Sequence, residues 1–296
     1  MLVTQFCNSM NHKNFSKISI NDKLFLERVC KFCISSQLGN TQRARYILTN
    51  FYKFNKSIKL DPKLVMSVVN ATDKKMILKR NGEQIQLNIL KTLGTPGKEG
   101  TTYKVEILSS SDQYAMKVFK KKKSSAKISL EALTQDFAAS YDLSPKIYGI
   151  VLEQCLPKPS GGKIIMELMD GLLEELLNKQ DGILTEEQQY DLIRLSIEMD
   201  NIGIYHNDPN PLNIMYKNGK FYYIDFGMSL PIDIKKHGRF PNTRALGTVF
   251  FGGVQGLVNR KISKGDINII KKYVEMAKYN PDQLLDNIEP LVKISY

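Results

Sequence analysis

Two aspartates and an asparagine are the residues of this chain whose types and spacing best suit metal and proton chemistry. Asp208 precedes Asn213 by five positions and Asp225 by 17. Between the last two, an Asn218-Gly219 pair separates two apolar, aromatic runs and predicts a tight β-hairpin, because both turn positions require positive φ. Such a hairpin brings Asn213 and Asp225 together at its open end, with Asp208 just upstream. Carboxylate and amide oxygens suit Mg²⁺, which takes its other ligands from phosphates.

A lysine in an apolar run upstream is the second group suited to phosphate chemistry. The run 114–119 alternates as a strand, which places Ala115 and Lys117 on the same face. Before this run comes a loop in which backbone amides can approach phosphate oxygens without interference from Cβ atoms. Its glycines, spaced G-x-x-G-x-x-G, are Gly94, Gly97 and Gly100. A glycine-rich hairpin more often only joins two strands, and its position before a lysine-bearing strand is what favours phosphate binding.

The pattern H-x-D-x-x-x-x-N from His206 to Asn213, followed by D-F-G at Asp225, resembles the catalytic and metal-binding loops of the protein kinase superfamily. The resemblance implies that Asp208 accepts or orients the substrate hydroxyl and that Asn213 and Asp225 bind Mg²⁺. The strand that carries Lys117 resembles the V-A-I-K strand of the same superfamily. Its ammonium would then reach the phosphates of ATP, and the resemblance makes Lys117 a catalytic residue beside Asp208.

The same resemblance implies further nucleotide contacts. Ala115 would leave room for the adenine, and the three glycines would cover the phosphates. Glu131, near the centre of the following predicted helix, is the expected partner of Lys117, with Asp136 as the alternative acid. The backbone at Glu167 and Met169 resembles the hinge that binds adenine.

Two asparagines depart from the superfamily pattern. Asn207 replaces the arginine that commonly clamps a phosphorylated activation loop, so regulation by that route is not expected. Asn210 stands where Ser/Thr-specific kinases usually place a lysine. No A-P-E sequence follows Asp225, and the abbreviated C-terminal lobe is similar to that of small atypical kinases, including those of some large DNA viruses. The resemblance covers roughly residues 80–296.

The elements that must position these residues can be read from periodicity. Alternating apolar residues at 85–89, 103–107 and 114–119 predict a three-stranded antiparallel meander. Helical patterns follow at 126–141 and at 185–204, with a short strand at 164–168 between them. Strands followed by a mainly helical remainder predict an α+β, bilobal protein-kinase-like fold. Its N-lobe is expected at residues 76–169 and its C-lobe at 170–296.

Residues 1–75 read as a separate, basic helical module. They contain 13 Lys and Arg and 4 Asp and Glu, which gives 13 − 4 = +9 of the total charge of +12. This charge indicates an acidic partner or nucleic acid, or else a solvated basic face that braces the sheet. The three readings stay open.

The cysteines and the hydropathy pattern restrict the class of protein. Four cysteines, Cys7, Cys30, Cys33 and Cys155, are too few and too unevenly placed for a disulfide framework. The C-x-x-C pair is better explained by buried helix thiols than by a metal site. We therefore expect a reducing compartment such as the cytoplasm, with the virion or nucleus as alternatives. No apolar run approaches the roughly 18 residues that a membrane span needs.

These patterns together predict a phosphotransferase that uses ATP and Mg²⁺, foremost a Ser/Thr protein kinase with a protein substrate. One alternative is a small-molecule hydroxyl kinase of the same superfold, since the A-P-E region usually helps to hold peptides. Another is a catalytically inactive, nucleotide-binding scaffold. The presence of Lys117, Asp208 and Asp225 weighs against the inactive scaffold, because inactive members usually lose one of the three.

Overall fold

A computed structural model describes residues 61–120, 123, 125–152, 161–181, 184–251 and 268–280 of the 296-residue chain. The helices predicted before residue 61 lie outside the described residues, as do the four cysteines. Among the described residues, no helix combines the length and the apolar character needed to cross a membrane.

The first part of the described chain forms a closed sheet. Its strands are β1 Val65–Ala71, β2 Lys75–Arg80, β3 Glu83–Leu93, β4 Gly100–Ile107, β5 Gln113–Phe119, β6 Ile147–Val151 and β7 Lys163–Glu167. They are ordered β1-β2-β3-β4-β5-β7-β6, and a parallel pairing of β1 with β6 closes the barrel. The predicted antiparallel meander is confirmed as β3, β4 and β5.

The sheet begins at Val65, ahead of the domain boundary predicted at residue 76. β1 is rich in β-branched valine, and Met66 within it is only 4% exposed. Since β1 pairs with both β2 and β6, these residues belong to the sheet and not to the basic helical module. At 62–64 the chain forms one 3₁₀ turn, whose first free amide, that of Lys63, donates to Asp61 Oδ1 at 2.9 Å.

The barrel packs on both of its faces. Its interior is an apolar cluster that includes Met66, Leu87, Val105 and Met116. The outer face of β5 meets helix α1 (Ser125–Ala139), which corresponds to the helix predicted at 126–141. Because successive strand residues alternate, Ala115 and Phe119 lie in this second cluster, whereas Met116 lies in the first.

The second part is mainly helical. It contains β8 Gly171–Leu172, α2 Leu173–Lys179, α3 Glu186–Asn201, β9 Ile204–Tyr205, β10 Ile214–Lys217, β11 Lys220–Tyr223, β12 Leu230–Pro231, α4 Ile234–His237, α5 Pro241–Phe251 and α6 Asn268–Tyr279. Thr185 caps α3, which corresponds to the helix predicted at 185–204, since its hydroxyl accepts a hydrogen bond from the Gln188 amide at 3.2 Å. A third apolar cluster, centred on α3 and β11, forms the core of this part.

Candidate active site

The loop between β9 and β10 holds Asp208 by both of its carboxylate oxygens. Asn210 Nδ2 donates to Asp208 Oδ1 at 2.9 Å, and Asn213 Nδ2 donates to Asp208 Oδ2 at 2.8 Å. The side-chain oxygen of Asn210 in turn accepts from the Leu212 amide at 2.9 Å, which fixes the orientation of its own amide group. Sequence reasoning treated Asn210 only as a departure from the family pattern, whereas the structure gives it a direct contact with Asp208.

The hairpin formed by β10 and β11 positions the next two residues. Asn218 and Gly219 have φ values of 50° and 78°, as the predicted two-residue turn requires. Pairing continues beyond the strands, where the Ile224 amide donates to the Asn213 carbonyl at 2.9 Å. Asn213 therefore lies beside the residue that precedes Asp225. Asp225 has left-handed backbone (φ 60°, ψ 67°), which Asp tolerates better than most residues.

Lys117 joins helix α1 to the end of the hairpin. Its Nζ lies 2.7 Å from Glu131 Oε1 and 2.8 Å from Asp225 Oδ1. Burial lowers the pKa of Lys117, but the two carboxylates together raise it more, so its pKa lies above the ordinary value. Burial likewise raises the pKa of Asp225, but its contacts with Lys117 and the charge of Lys123 lower it more, and the net shift is downward. Lys117 and Asp225 are therefore both charged. The helix acid that contacts Lys117 is Glu131, and the alternative, Asp136, does not contact it.

Two further charged residues, which sequence reasoning missed, extend this arrangement. Lys123 Nζ lies 2.6 Å from Glu131 Oε2 and also forms an ion pair with Glu99. We call Glu99, Lys117, Lys123, Glu131 and Asp225 the charge cluster. Its three carboxylates each offer an oxygen within 4.8 Å of the others. Glu99 lies between two of the predicted glycines, and Lys123 ends the basic run after β5, but neither position carries a periodic signal that would have marked it.

The three glycines play different parts. Gly94 has φ +66° at the end of β3, where an L-residue would be strained. The Gly97 amide donates to the Gly100 carbonyl at 2.9 Å and closes a tight loop of residues 94–99, which we call the glycine-rich loop. Gly100 lies within β4, where a Cβ atom would overlap the Val118 carbonyl. Its lack of a side chain therefore already serves the pairing of β4 with β5.

The predicted adenine contacts lie along β5, at the end of β7 and just after it. Ala115 is buried at 8% exposure on the α1-facing side of β5. The Glu167 amide donates to the Lys146 carbonyl at 2.9 Å, and its carboxylate is 2.7 Å from Lys217 Nζ, so these Glu167 groups already have protein partners. Met169 is buried. The end of β7 is thus tied to the hairpin, a link that sequence reasoning missed.

His206, two residues before Asp208, is completely buried. Its Nε2 lies 2.8 Å from the Ile224 carbonyl, which can only accept, so Nε2 carries the proton. The ring stacks on Tyr223 at 4.7 Å and meets Phe226 edge-on at 5.2 Å. Burial lowers the pKa of His206, which keeps the ring neutral. The histidine therefore joins the loop of Asp208 to the segment that carries Asp225.

A buried polar group on α3 and α5 supports the same loop from the other side. Asn242 Oδ1 accepts from the His206 backbone amide at 2.8 Å, and its Nδ2 donates to Asp200 Oδ1 at 2.7 Å. Asp200 also accepts from the Thr243 amide at 3.0 Å and the Thr243 hydroxyl at 2.8 Å. These donors come from the first turn of α5, whose amides lack partners within the helix. Burial raises the pKa of Asp200 to about 7, and the hydrogen bonds oppose this shift.

The segment that follows Asp225 is held to the Asp208 loop by uncharged contacts. Asn207 Nδ2 donates to the Met228 carbonyl at 3.2 Å, and the Ser229 hydroxyl donates to the His206 carbonyl at 3.3 Å. β12 then pairs with β9. Asn207, at the position of the clamp arginine, therefore contacts this segment through a neutral amide.

A similar sequence and a similar solved structure can be set beside this geometry. No protein-family model matches the chain. A curated protein of Acanthamoeba polyphaga mimivirus, named "Putative serine/threonine-protein kinase", is 30% identical over 151 residues, which are 50% of this chain and 24% of the relative. The chain thus matches about a quarter of that relative's length.

Among solved structures, the crystal structure of a kinase domain matches at a TM-score of 0.42 and 15% identity, over 49% of this chain and 51% of that one. The sequence similarity to the viral protein and the contacts of Lys117 and Asp208 agree with each other. The chain is a protein-kinase-like protein.

Proposed function

We propose that the chain is an ATP- and Mg²⁺-dependent phosphotransferase with a bilobal fold, which transfers phosphate to serine or threonine hydroxyls of a protein. The observation that carries the proposal is the double contact of Lys117, at 2.7 Å from Glu131 and 2.8 Å from Asp225. In protein kinases the lysine–glutamate pair and the D-F-G aspartate must both be in place for catalysis. In this chain the Lys117 ammonium group contacts both carboxylates, those of Glu131 and Asp225.

The donor set at the end of the hairpin fits Mg²⁺. Asp225 supplies an ionised carboxylate, because the net shift of its pKa is downward. Asn213 directs its Nδ2 to Asp208, which leaves its amide oxygen as the atom for a cation. Oxygen ligands of this kind, with the rest from water and phosphate, are those that Mg²⁺ prefers. Bound Mg²⁺ would neutralise charge on the nucleotide phosphates.

The chain's own residues would have separate roles in phosphoryl transfer. Lys117 would orient the phosphate oxygens, and Glu131 keeps its ammonium group in position. Asp208 would accept or orient the proton of the attacking hydroxyl. Since Asn210 and Asn213 each bind one of its oxygens, the carboxylate enters the reaction in a fixed orientation, and such positioning contributes most of the catalysis in phosphoryl transfer.

The test is phosphate transfer from γ-labelled ATP with Mg²⁺ by the full chain, with a generic basic protein as acceptor. Asp208→Ala should lower the transfer rate by about 10²- to 10⁴-fold, the usual contribution of a positioned base. Asp73→Ala, which removes an exposed carboxylate from a turn, is the matched control and should retain transfer. If Asp208→Ala transferred phosphate at the wild-type rate, Asp208 would not be the base.

A second candidate acceptor is the hydroxyl of a small molecule. The short connection from Asp225 to α5, closed by the pairing of β12 with β9, favours it, because the missing A-P-E region usually helps to hold peptides. Autophosphorylation or transfer to the acceptor protein would count against it. Nucleotide binding without transfer to either class of acceptor would instead favour the inactive scaffold.

A further inference from the structure

Lys123 is a largely buried cation that the resemblance to kinases does not assign. Its side chain is only 10% exposed, although it ends the basic run 120–123 of the sequence. It binds the second carboxylate oxygen of Glu131 at 2.6 Å, while Lys117 binds the first at 2.7 Å. Both ammonium groups also lie over the ring of Phe119, at 4.7 Å for Lys123 and 5.0 Å for Lys117. Glu131 is thus held by two lysines that share one aromatic surface.

The other partner of Lys123 is Glu99, in the glycine-rich loop. The Glu99 side chain is 42% exposed and reaches inward to the less exposed ammonium group. The backbone repeats the same connection, since the Lys120 amide donates to the Glu99 carbonyl at 2.8 Å. The loop is therefore fastened to the segment after β5 by one ion pair and one main-chain hydrogen bond.

These groups converge on the D-F-G segment. A Cβ atom placed on Gly227 would lie 3.1 Å from Glu99 Oε2, 3.1 Å from Glu131 Oε2 and 3.2 Å from Lys123 Nζ. The glycine-rich loop, helix α1 and the D-F-G segment therefore meet at one point. Lys123 is the only cation that contacts both carboxylates among the described residues.

We propose that Lys123 is a positioning residue that latches the glycine-rich loop to helix α1, through Glu99 and Glu131, and so holds the loop closed over the nucleotide phosphates. Two effects follow from this one residue. Loss of Lys123 would release the loop, and it would leave one oxygen of a nearly buried Glu131 carboxylate without its cation. The role at the phosphates rests on the proposed function, whereas the latch itself is a property of the nucleotide-free chain.

Hydrogen exchange of the nucleotide-free full chain tests the latch directly. Lys123→Met and Glu99→Gln should each raise amide exchange at Gly97 and Lys120, whose hydrogen bonds close the loop, by about fivefold or more. Lys123→Arg should keep exchange near the wild-type rate. Lys91→Met, which removes an exposed lysine side chain from β3 outside the glycine-rich loop, is the matched control.

The double variant sharpens this test. If Glu99 acts through Lys123, adding Glu99→Gln to Lys123→Met should change exchange no further, because the ion pair is already lost. Unchanged exchange in both single variants, or strictly additive effects in the double variant, would overturn the latch.

Calorimetry with a non-hydrolysable ATP analogue and with adenosine tests the consequence for the phosphates. Lys123→Met should weaken binding of the triphosphate about tenfold and that of adenosine less than twofold. An equal loss for the two ligands would overturn the role at the phosphates. A wild-type chain that binds neither ligand would count against the proposed function, and the exchange measurements would still decide the latch.

Discussion

Asp208 has each of its carboxylate oxygens bound by a different asparagine amide, at 2.8 and 2.9 Å. Of the two, Asn213 belongs to the kinase pattern, whereas Asn210 replaces the usual lysine. An amide cannot neutralise a phosphate as a lysine does, but it can fix the direction of the carboxylate. At position 210, an amide that orients the Asp208 carboxylate therefore stands where the kinase pattern has a positive charge.

Asn210→Ala tests this orienting role. Loss of one hydrogen bond to Asp208 should lower kcat about fivefold to tenfold, in line with about 1 kcal/mol for such a bond. KM for ATP should stay within about twofold, because Asn210 has no contact with the charge cluster. Steady-state kinetics with labelled ATP would measure both. Asn70→Ala, which removes an exposed amide from β1, serves as the control, and an unchanged kcat in Asn210→Ala would contradict the positioning role.

At this scale the sequence predicted the residues that belong to a motif and missed those that do not. Lys117, Glu131 and Asp225 were expected together, and the structure places them within hydrogen-bond distance. Glu99 and Lys123 were missed because an isolated acid in a loop and the last lysine of a basic run look like ordinary solvated charges. Only the folding of the loop onto α1 brings them together.

At the scale of elements, α3 and α5 are joined by Asp200, which accepts hydrogen bonds from the first turn of α5. Asn242 transmits this contact to the backbone of His206 and hence to the Asp208 loop. The anion also lies at the positive end of the α5 dipole. Its burial nevertheless favours the protonated form, so this junction should respond to pH.

The pH dependence has a definite sign. The pKa of Asp200 is raised from 3.8 to about 7, so between these values the folded chain binds more protons than the unfolded chain. The contribution of Asp200 to the free energy of unfolding should fall as pH rises towards 7 and level off above it. The melting temperature of the wild type, measured relative to that of Asp200→Asn from pH 5 to 8, should therefore decline. Parallel melting curves across this range would contradict the raised pKa.

The elements that could be predicted are those with a strong local sequence signal, such as a turn dipeptide or a clear periodicity. The Asn218-Gly219 hairpin, helix α3 and the meander were predicted from turn chemistry and periodicity. The β2–β3 hairpin was missed, although Asn81-Gly82 carries the same turn signal, with φ values of 50° and 92°. β1 and β6 could not be predicted to pair, because 76 or more positions separate them and only the closure of the barrel brings them together.

At the scale of the whole molecule, β1 decides whether the sheet is closed. Met66 is buried at 4% and packs against Gly149, where a side chain would collide with it. Met66→Ala should lower the free energy of unfolding by about 2–4 kcal/mol, the usual cost of emptying a packed core site. Val69→Ala, in the same strand but 48% exposed, should cost no more than about 0.5 kcal/mol. Equal costs in denaturant unfolding would contradict a closing role for β1.

The basic segment at 1–75 stays a prediction for most of its length. Its first 60 residues lie outside the described part of the chain, and residues 65–71 form β1. The charge of 13 − 4 = +9 is a property of the sequence and does not depend on the fold. A salt-dependent gel shift with the full chain would distinguish binding of an acidic protein or of nucleic acid from a basic surface that is only solvated.

The parallel pairing of β1 with β6 also limits how other molecules can bind. Within the described residues, this pairing covers the edge of β1 at Val65 and Met66, opposite Ile150 and Val151. An extended peptide therefore cannot add a strand at this part of the edge, and a second copy of the sheet cannot pair with it there. A protein that binds at the closed part of the barrel must therefore be recognised by side chains and not by strand addition.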